Sequence, residues 1–235
     1  LPPFVRLPET GHLASARRVK AAEGEAPLLK ILILGNRGGK MHDHEHEDRG
    51  SFVIEFAGEA FAMDPGICEY DDPMHALLKQ CQYHNMLVPV GVAERPHPAQ
   101  PILTDVKPTG KGNRKSCHAA MNLTPGWNAY YKPWRRAWEA PAPDTLVITD
   151  EYELTRGEGV EFLWQTKLPC RIDGARVIIQ GARGEVVLDI PAGCAARIDT
   201  LPGPENTSQQ RIAFHRAAPS GTLRVTAHFM AEPAK

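Results

Sequence analysis

Short β-compatible runs, each closed by Gly, Pro or Asp, dominate this sequence and constrain its fold more than any other feature. From Lys115 onward they recur at close spacing: Cys117 to Leu123, Trp134 to Ala140, Thr145 to Leu154, Val160 to Leu168, Ala175 to Gln180, Glu185 to Ile190, Ala195 to Ile198, Arg211 to His215 and Thr222 to Phe229. Stretches such as Val186-Val187-Leu188-Asp189-Ile190 are rich in the residues that pack well on a pleated surface. Many short strands at this spacing predict an all-β fold, a large antiparallel β-sandwich with little helix. A chain of 235 residues can bury a core of that kind. The stretch nearest to a linker, Leu201-Pro202-Gly203-Pro204-Glu205-Asn206, reads as one loop, so residues 1–235 are expected to form a single β-sandwich domain.

The N-terminal third carries its own strand signals. Gly11 to Arg18 reads as a short strand, and Leu28 to Leu34 as a strong one, stopped by Gly35-Asn36-Arg37-Gly38-Gly39. Ser51 to Phe56 and Phe61 to Asp64, joined by Ala57-Gly58-Glu59-Ala60, read as a hairpin. Asp72 to Gln82 is the one helical candidate: Asp72 suits an N-cap, Pro73 the first position, and Met74, Leu77 and Leu78 share a face. Met86 to Val92 is strand-like, and Glu94 to Arg114, rich in Pro, Gly and Lys, reads as a long surface loop.

Charge and cysteine content exclude several classes. The net charge is -1, so bulk attraction to nucleic acid or an anionic membrane is absent. No apolar run is long enough to span a bilayer. Five scattered cysteines without a CxxC pair read as buried thiols rather than a disulfide framework. The chain starts at Leu1 without a leader pattern, and is expected to be a piece of a longer or processed protein.

The chemistry concentrates in Met41-His42-Asp43-His44-Glu45-His46-Glu47-Asp48. In an extended strand, His42, His44, His46 and Asp48 would line one face. Same-face imidazoles can share a metal or serve neighbouring sites. One strand rarely supplies a whole tetrahedral set, so further ligands are expected from elsewhere. Asp64, before Pro65-Gly66, and His84, before Asn85, are the candidates. A set of His46, Asp64 and His84 suits zinc, and also iron if positions stay open. Gly38, then His44-x-His46, looks like the opening of a cupin motif, but Gly50 and Ser51 stand where its Glu belongs and the second box is absent. His12, His75, His97, His118, His215 and His228 read as capped or exposed rings.

The run His44-x-His46-x-Asp48-x-Gly50-Ser51-Phe52, followed by Gly58-Glu59, Asp64-Pro65-Gly66 and His84-Asn85, resembles the C-terminal β domain of the heparinase II/III-like polysaccharide lyases. The likeness is specific over about Leu7 to Gly91 and architectural beyond it. It implies that His46, Asp64 and His84 hold Zn2+, and that His44 projects into the cleft and takes part in catalysis. It implies cleavage of a uronic-acid polysaccharide or oligosaccharide, heparin-, heparan sulfate- or alginate-like, by β-elimination. It also implies an N-terminal (α/α) toroid domain of the same protein, which supplies further catalytic groups, and a periplasmic or secreted setting. No stretch here has the repeated helix pairs of a toroid, so this chain alone is expected to be inactive. The alternative from the residues is a non-catalytic, metal-stabilised β-sandwich that binds carbohydrate or a partner chain.

Three other stretches carry expectations. Trp134 and Trp138 read as core residues of one strand face. Glu45, Glu47 and Asp48 read as groups that orient the histidines. Lys107 to Lys115 reads as a solvated basic loop with the chemistry to touch an anionic polymer.

Overall fold

Alternating burial along the strands produces two facing layers. The computed structural model describes residues 2–36, 45–99 and 104–231. The first five strands, β1 (Phe4–Leu7), β2 (His12–Arg18), β3 (Leu28–Ile33), β4 (Phe52–Phe56) and β5 (Glu59–Ala62), pair in chain order. The chain continues through β6 (Leu87–Val90), β7 (Thr109–Gly112), β8 (Cys117–Asn122), β9 (Tyr131–Ala140), β10 (Thr145–Leu154) and β11 (Gly159–Thr166). It ends with β12 (Cys170–Asp173), β13 (Arg176–Gln180), β14 (Gly184–Asp189), β15 (Ala195–Pro202), β16 (Ser208–Arg216) and β17 (Ser220–Ala231). An eight-stranded sheet has the order β12-β13-β14-β17-β10-β9-β8-β7, and a four-stranded sheet the order β15-β16-β11-β6. The fold is an all-β antiparallel sandwich.

The eight-stranded sheet forms one layer. Its strand β9 shows the period of two: Trp134, Arg136 and Trp138 are buried inward, while Arg135 and Glu139 face out. The five- and four-stranded sheets lie opposite. Phe56 of β4 meets Phe229 of β17 edge-on at 5.5 Å, and the Tyr131 hydroxyl donates to the Leu87 carbonyl of β6 at 3.0 Å. The two smaller sheets adjoin where Met63 N donates to the Gln165 carbonyl at 3.0 Å and Trp164 Nε1 to the Phe61 carbonyl at 2.8 Å.

One buried ion pair crosses this interior. Arg136 donates from Nε and Nη2 to the two Asp150 oxygens, each at 2.8 Å, and both side chains are fully buried. Trp134 Nε1 adds a bond to Asp150 Oδ1 at 2.7 Å. Arg136 Nη1 reaches the opposite layer and donates to the carbonyls of Gly50 and Asn85, both at 2.9 Å. Its guanidinium carbon lies 5.2 Å from the Phe162 ring centroid. A charge withdrawn from water needs this completeness, because desolvation opposes the Coulomb attraction.

Several expectations change. The surface loop contains β7, where Gly110 lets the hairpin close; a Cβ there would lie 2.2 Å from the His118 carbonyl oxygen. Strands β1 and β12 were not anticipated, and β15 runs on through Leu201 and Pro202. The expected helix reduces to His75–Leu78 and a 3-10 turn, Cys81–Tyr83. Gln80 is extended between them, at φ -79 and ψ 144, which breaks the helical ladder. Asp72 still accepts from Met74 N at 2.7 Å.

Breaking the pair on one side leaves an unmatched buried charge. Arg136→Met or Asp150→Leu alone is expected to cost about 3–5 kcal/mol, measured by urea unfolding. The double variant should lose clearly less than the sum; full additivity would show that the two groups do not act as a unit.

Candidate metal centre

Three segments that enter or leave strands converge at the junction of the two smaller sheets. His46 precedes β4, Asp64 follows β5, and His84 lies between the 3-10 turn and β6. Their ligand atoms all lie within 4.8 Å of one another. Asp64 Oδ2 stands 3.1 Å from His84 Nδ1, and the rings of His46 and His84 are 5.3 Å apart at 54°. Gly66 N donates to the other carboxylate oxygen, Oδ1, at 2.9 Å, and so orients the group. His84 is fully buried, and its Nε2 has no hydrogen-bond partner.

The nitrogen that faces Asp64 is Nδ1, so the spacing around Nδ1 is the test of the site. With the proton on Nε2, the Nδ1 lone pair is the one available to a cation beside Asp64. Two imidazoles and a carboxylate at one point form a donor set that suits zinc. Two ligands of a tetrahedral zinc with ~2.0 Å bonds lie roughly 3.3 Å apart, close to the 3.1 Å seen between Asp64 and His84. The residues therefore fit a divalent cation.

Electrostatics prepare the same state. Burial lowers the His46 pKa, and the adjacent His84 lowers it further, against the pull of Asp48 and Asp64. Burial alone would raise the Asp64 pKa, but the hydrogen bond and charge of His84, the Gly66 amide and His46 outweigh it and hold it below the usual value. Neutral imidazole beside ionised carboxylate is the protonation state a metal takes.

The surrounding backbone is fixed by side chains to which the sequence assigned no role. Asn85, next to His84, is fully buried. Its Nδ2 donates to the carbonyls of Phe52 (2.6 Å) and Met63 (3.0 Å), and its Oδ1 accepts from Gln165 N at 2.7 Å. One amide thus ties the neighbours of His84 and Asp64 to β4 and β11. Gln165 Nε2 holds the carbonyls of Gln82 (3.0 Å) and His84 (3.2 Å), and Gln209 Nε2 holds Gln165 Oε1 at 2.9 Å. Arg49 donates to the His46 carbonyl and to the Glu45 carboxylate. Gly50 turns the segment at φ +92, and a Cβ there would lie 2.6 Å from Leu123.

Two expectations fail here. Residues 45–51 form turns rather than a strand, so His46 and Asp48 share no strand face; Ser51 N closes the turn on the Asp48 carbonyl at 2.8 Å. Among the described residues, Glu45 and Glu47 form no hydrogen bond to the His46 or His84 ring. Glu47 accepts from Cys81 N and from Arg95 Nη2, both at 2.9 Å, and thereby seats the helical segment. His42 and the expected catalytic residue His44 lie outside the described residues.

The model of the family described as heparinase II/III-like, C-terminal, matches residues 32–228. This chain belongs to the heparinase II/III-like family. Solved structures with a similar fold include a mutant of heparan sulfate lyase HepC from Pedobacter heparinus, with a TM-score of 0.69 at 11% identity. A heparinase III structure gives a TM-score of 0.67 at 12% identity. Each comparison covers 97% of this chain and 36% of the other, so the heparinase II/III-like domain spans about a third of those lengths. No curated protein matches this sequence.

In the metal-free protein the depressed His46 pKa has a definite sign. Its contribution to stability is present above the ordinary value of 6.5 and is lost as pH falls through the lower folded value. Unfolding midpoints of wild type and His46→Gln should therefore converge as the medium is acidified below that ordinary value. A gap that stays constant with pH would show that His46 titrates normally.

Proposed function

We propose that this heparinase II/III-like domain is the β half of a lyase that cleaves a uronic-acid polysaccharide by β-elimination. We further propose that it carries one structural zinc on His46, Asp64 and His84. The convergence of ligand atoms from His46, Asp64 and His84 within 4.8 Å of one another is the observation that supports the metal. Family membership supports the reaction class. Zinc bound there would cross-link three chain segments.

The elimination has simple requirements. A base takes the proton at C5 of the uronate, its electrons form the C4–C5 double bond, and the C4–oxygen bond breaks. An acid then protonates the leaving oxygen, and a donor or cation offsets the charge on the adjacent carboxylate. His44, two residues before His46, is assigned one of the proton transfers. An imidazole can carry protons in either direction near neutral pH. Fixing His46 restrains the segment on which His44 sits, a positioning role for the ligand. An N-terminal (α/α) toroid domain of the same protein is assigned the remaining acid or base and much of the sugar cleft. The proposed setting is periplasmic or secreted.

The test follows the ultraviolet absorbance of the unsaturated uronate product. In the protein joined to its toroid, His44→Ala should abolish product while zinc content and thermal midpoint stay at wild-type levels. Undiminished turnover by that variant removes His44 from the chemistry. The 235-residue chain by itself should release no product; normal release would show that it needs no partner domain. Asp64→Ala or His84→Ala should lose bound zinc, read by elemental analysis, together with much thermal stability. Equal zinc in variant and wild type would reject the ligand set.

A further inference from the structure

The basic stretch around Lys111 is not a diffuse loop. Strands β7 and β8 form a hairpin at the edge of the eight-stranded sheet, and a cleft of about 440 Å³ opens beside it. Lys111, Asn113, Ser116, His118 and Arg224 contribute to its lining, with Glu139 as the one acid. That volume is in the range of small-ligand sites.

The charges do not cancel locally. Glu139 is engaged by His118 Nδ1 at 3.2 Å. Lys111, Arg114, Lys115 and Arg224 are exposed and form no ion pair with any described residue. Behind the wall, Arg17 is 2% exposed and approaches Cys117 Sγ at 3.6 Å, and its Nη2 has no partner. Arg17 Nε donates to the Pro143 carbonyl at 2.9 Å and the nearby Asp144 offsets part of its charge, so it is not counted with the cations of the cleft. On a chain whose net charge is -1, this is a segregated positive site.

The hairpin tip is also pre-shaped. Asn113 Oδ1 accepts from the backbone nitrogens of Lys115 (2.8 Å) and Ser116 (3.0 Å), and Asn113 N donates to the Ser116 carbonyl at 2.8 Å. The Asn113 oxygen is used inside the turn, which leaves its amide NH2 for a ligand. At Gly112 a Cβ would meet Phe4 at 2.5 Å and Cys117 at 2.9 Å, so the strand is held tightly against its neighbours. A fixed turn presenting cations loses little entropy on binding.

We propose that the β7–β8 cleft is an anion-binding subsite for an acidic saccharide, separate from the metal centre, with Lys111 and Arg224 pairing with its carboxylate or sulfate groups. The identification of the ligand as a saccharide rests on the lyase reading above. Among the described residues no Phe, Tyr or Trp lines the cleft, so recognition runs through charge and hydrogen bonds more than ring stacking. Nucleic acid is disfavoured because the chain lacks bulk positive charge and the cleft lacks stacking surfaces.

Calorimetric titration of this chain with heparin-derived, alginate-derived and neutral dextran oligosaccharides tests the proposal. Heparin or alginate fragments should bind and dextran should not; preference between the first two distinguishes sulfate from carboxylate. The Lys111→Ala/Arg224→Ala double variant should weaken binding by about tenfold or more, with unchanged zinc content and thermal midpoint. Lys132→Ala, which removes an exposed cation paired with Glu153 elsewhere on the sheet, should bind as wild type. Equal affinity of wild type and the double variant overturns the subsite. Tighter binding of a single-stranded oligonucleotide than of either acidic saccharide overturns the ligand class. The readout needs no lyase activity, so a failed elimination assay and a failed subsite are separately visible.

Discussion

Much of this structure depends on the pairing of Arg136 with Asp150. Each group would be expensive to bury alone. Together, with Trp134 and two backbone carbonyls, they use the main hydrogen-bonding directions of both side chains. The two carbonyls belong to Gly50 and Asn85, on the segments that carry His46 and His84. The large sheet therefore sets, from the opposite layer, where the backbone at the metal centre lies. Hydrophobic contact alone is non-directional and would hold the layers together without fixing that register.

Around the centre, the residues that position and the residues that would ligate are different. The Asn85 and Gln165 amides bind mainly backbone groups, with Gln209 holding Gln165, and they link β4, the end of β5, the 3-10 turn and β11. The ligand atoms of His46, Asp64 and His84 are left facing one another. The backbone around the three residues is thus held by groups other than the residues themselves.

How much of this was legible in the sequence varies by residue. The inward Trp134 and Trp138 were readable because a strand repeats every two residues. The convergence of His46, Asp64 and His84 was foreshadowed by the hairpin between them. Strand β7 was hidden because its glycines look like loop punctuation until their close contact with β8 is seen. Glu47 looked like a partner of the histidines because it is adjacent in the chain. In space it belongs to Arg95 and Cys81, residues more than thirty positions away.

By itself, then, the sequence determined the all-β class, most strand positions and the residue types that assemble at the centre. Those follow from local periodicity and turn chemistry, which act over a few residues. Only the tertiary structure decided which acids face which cations, that Asn85 and Arg136 carry the centre, and that Lys111 and Arg224 share a cleft. Such pairings depend on sheet order, and residues paired across strands here lie up to 83 positions apart in the chain, as Thr145 of β10 with His228 of β17. No local pattern encodes a partner at that distance; burial, by making each unmatched polar group costly, selects it.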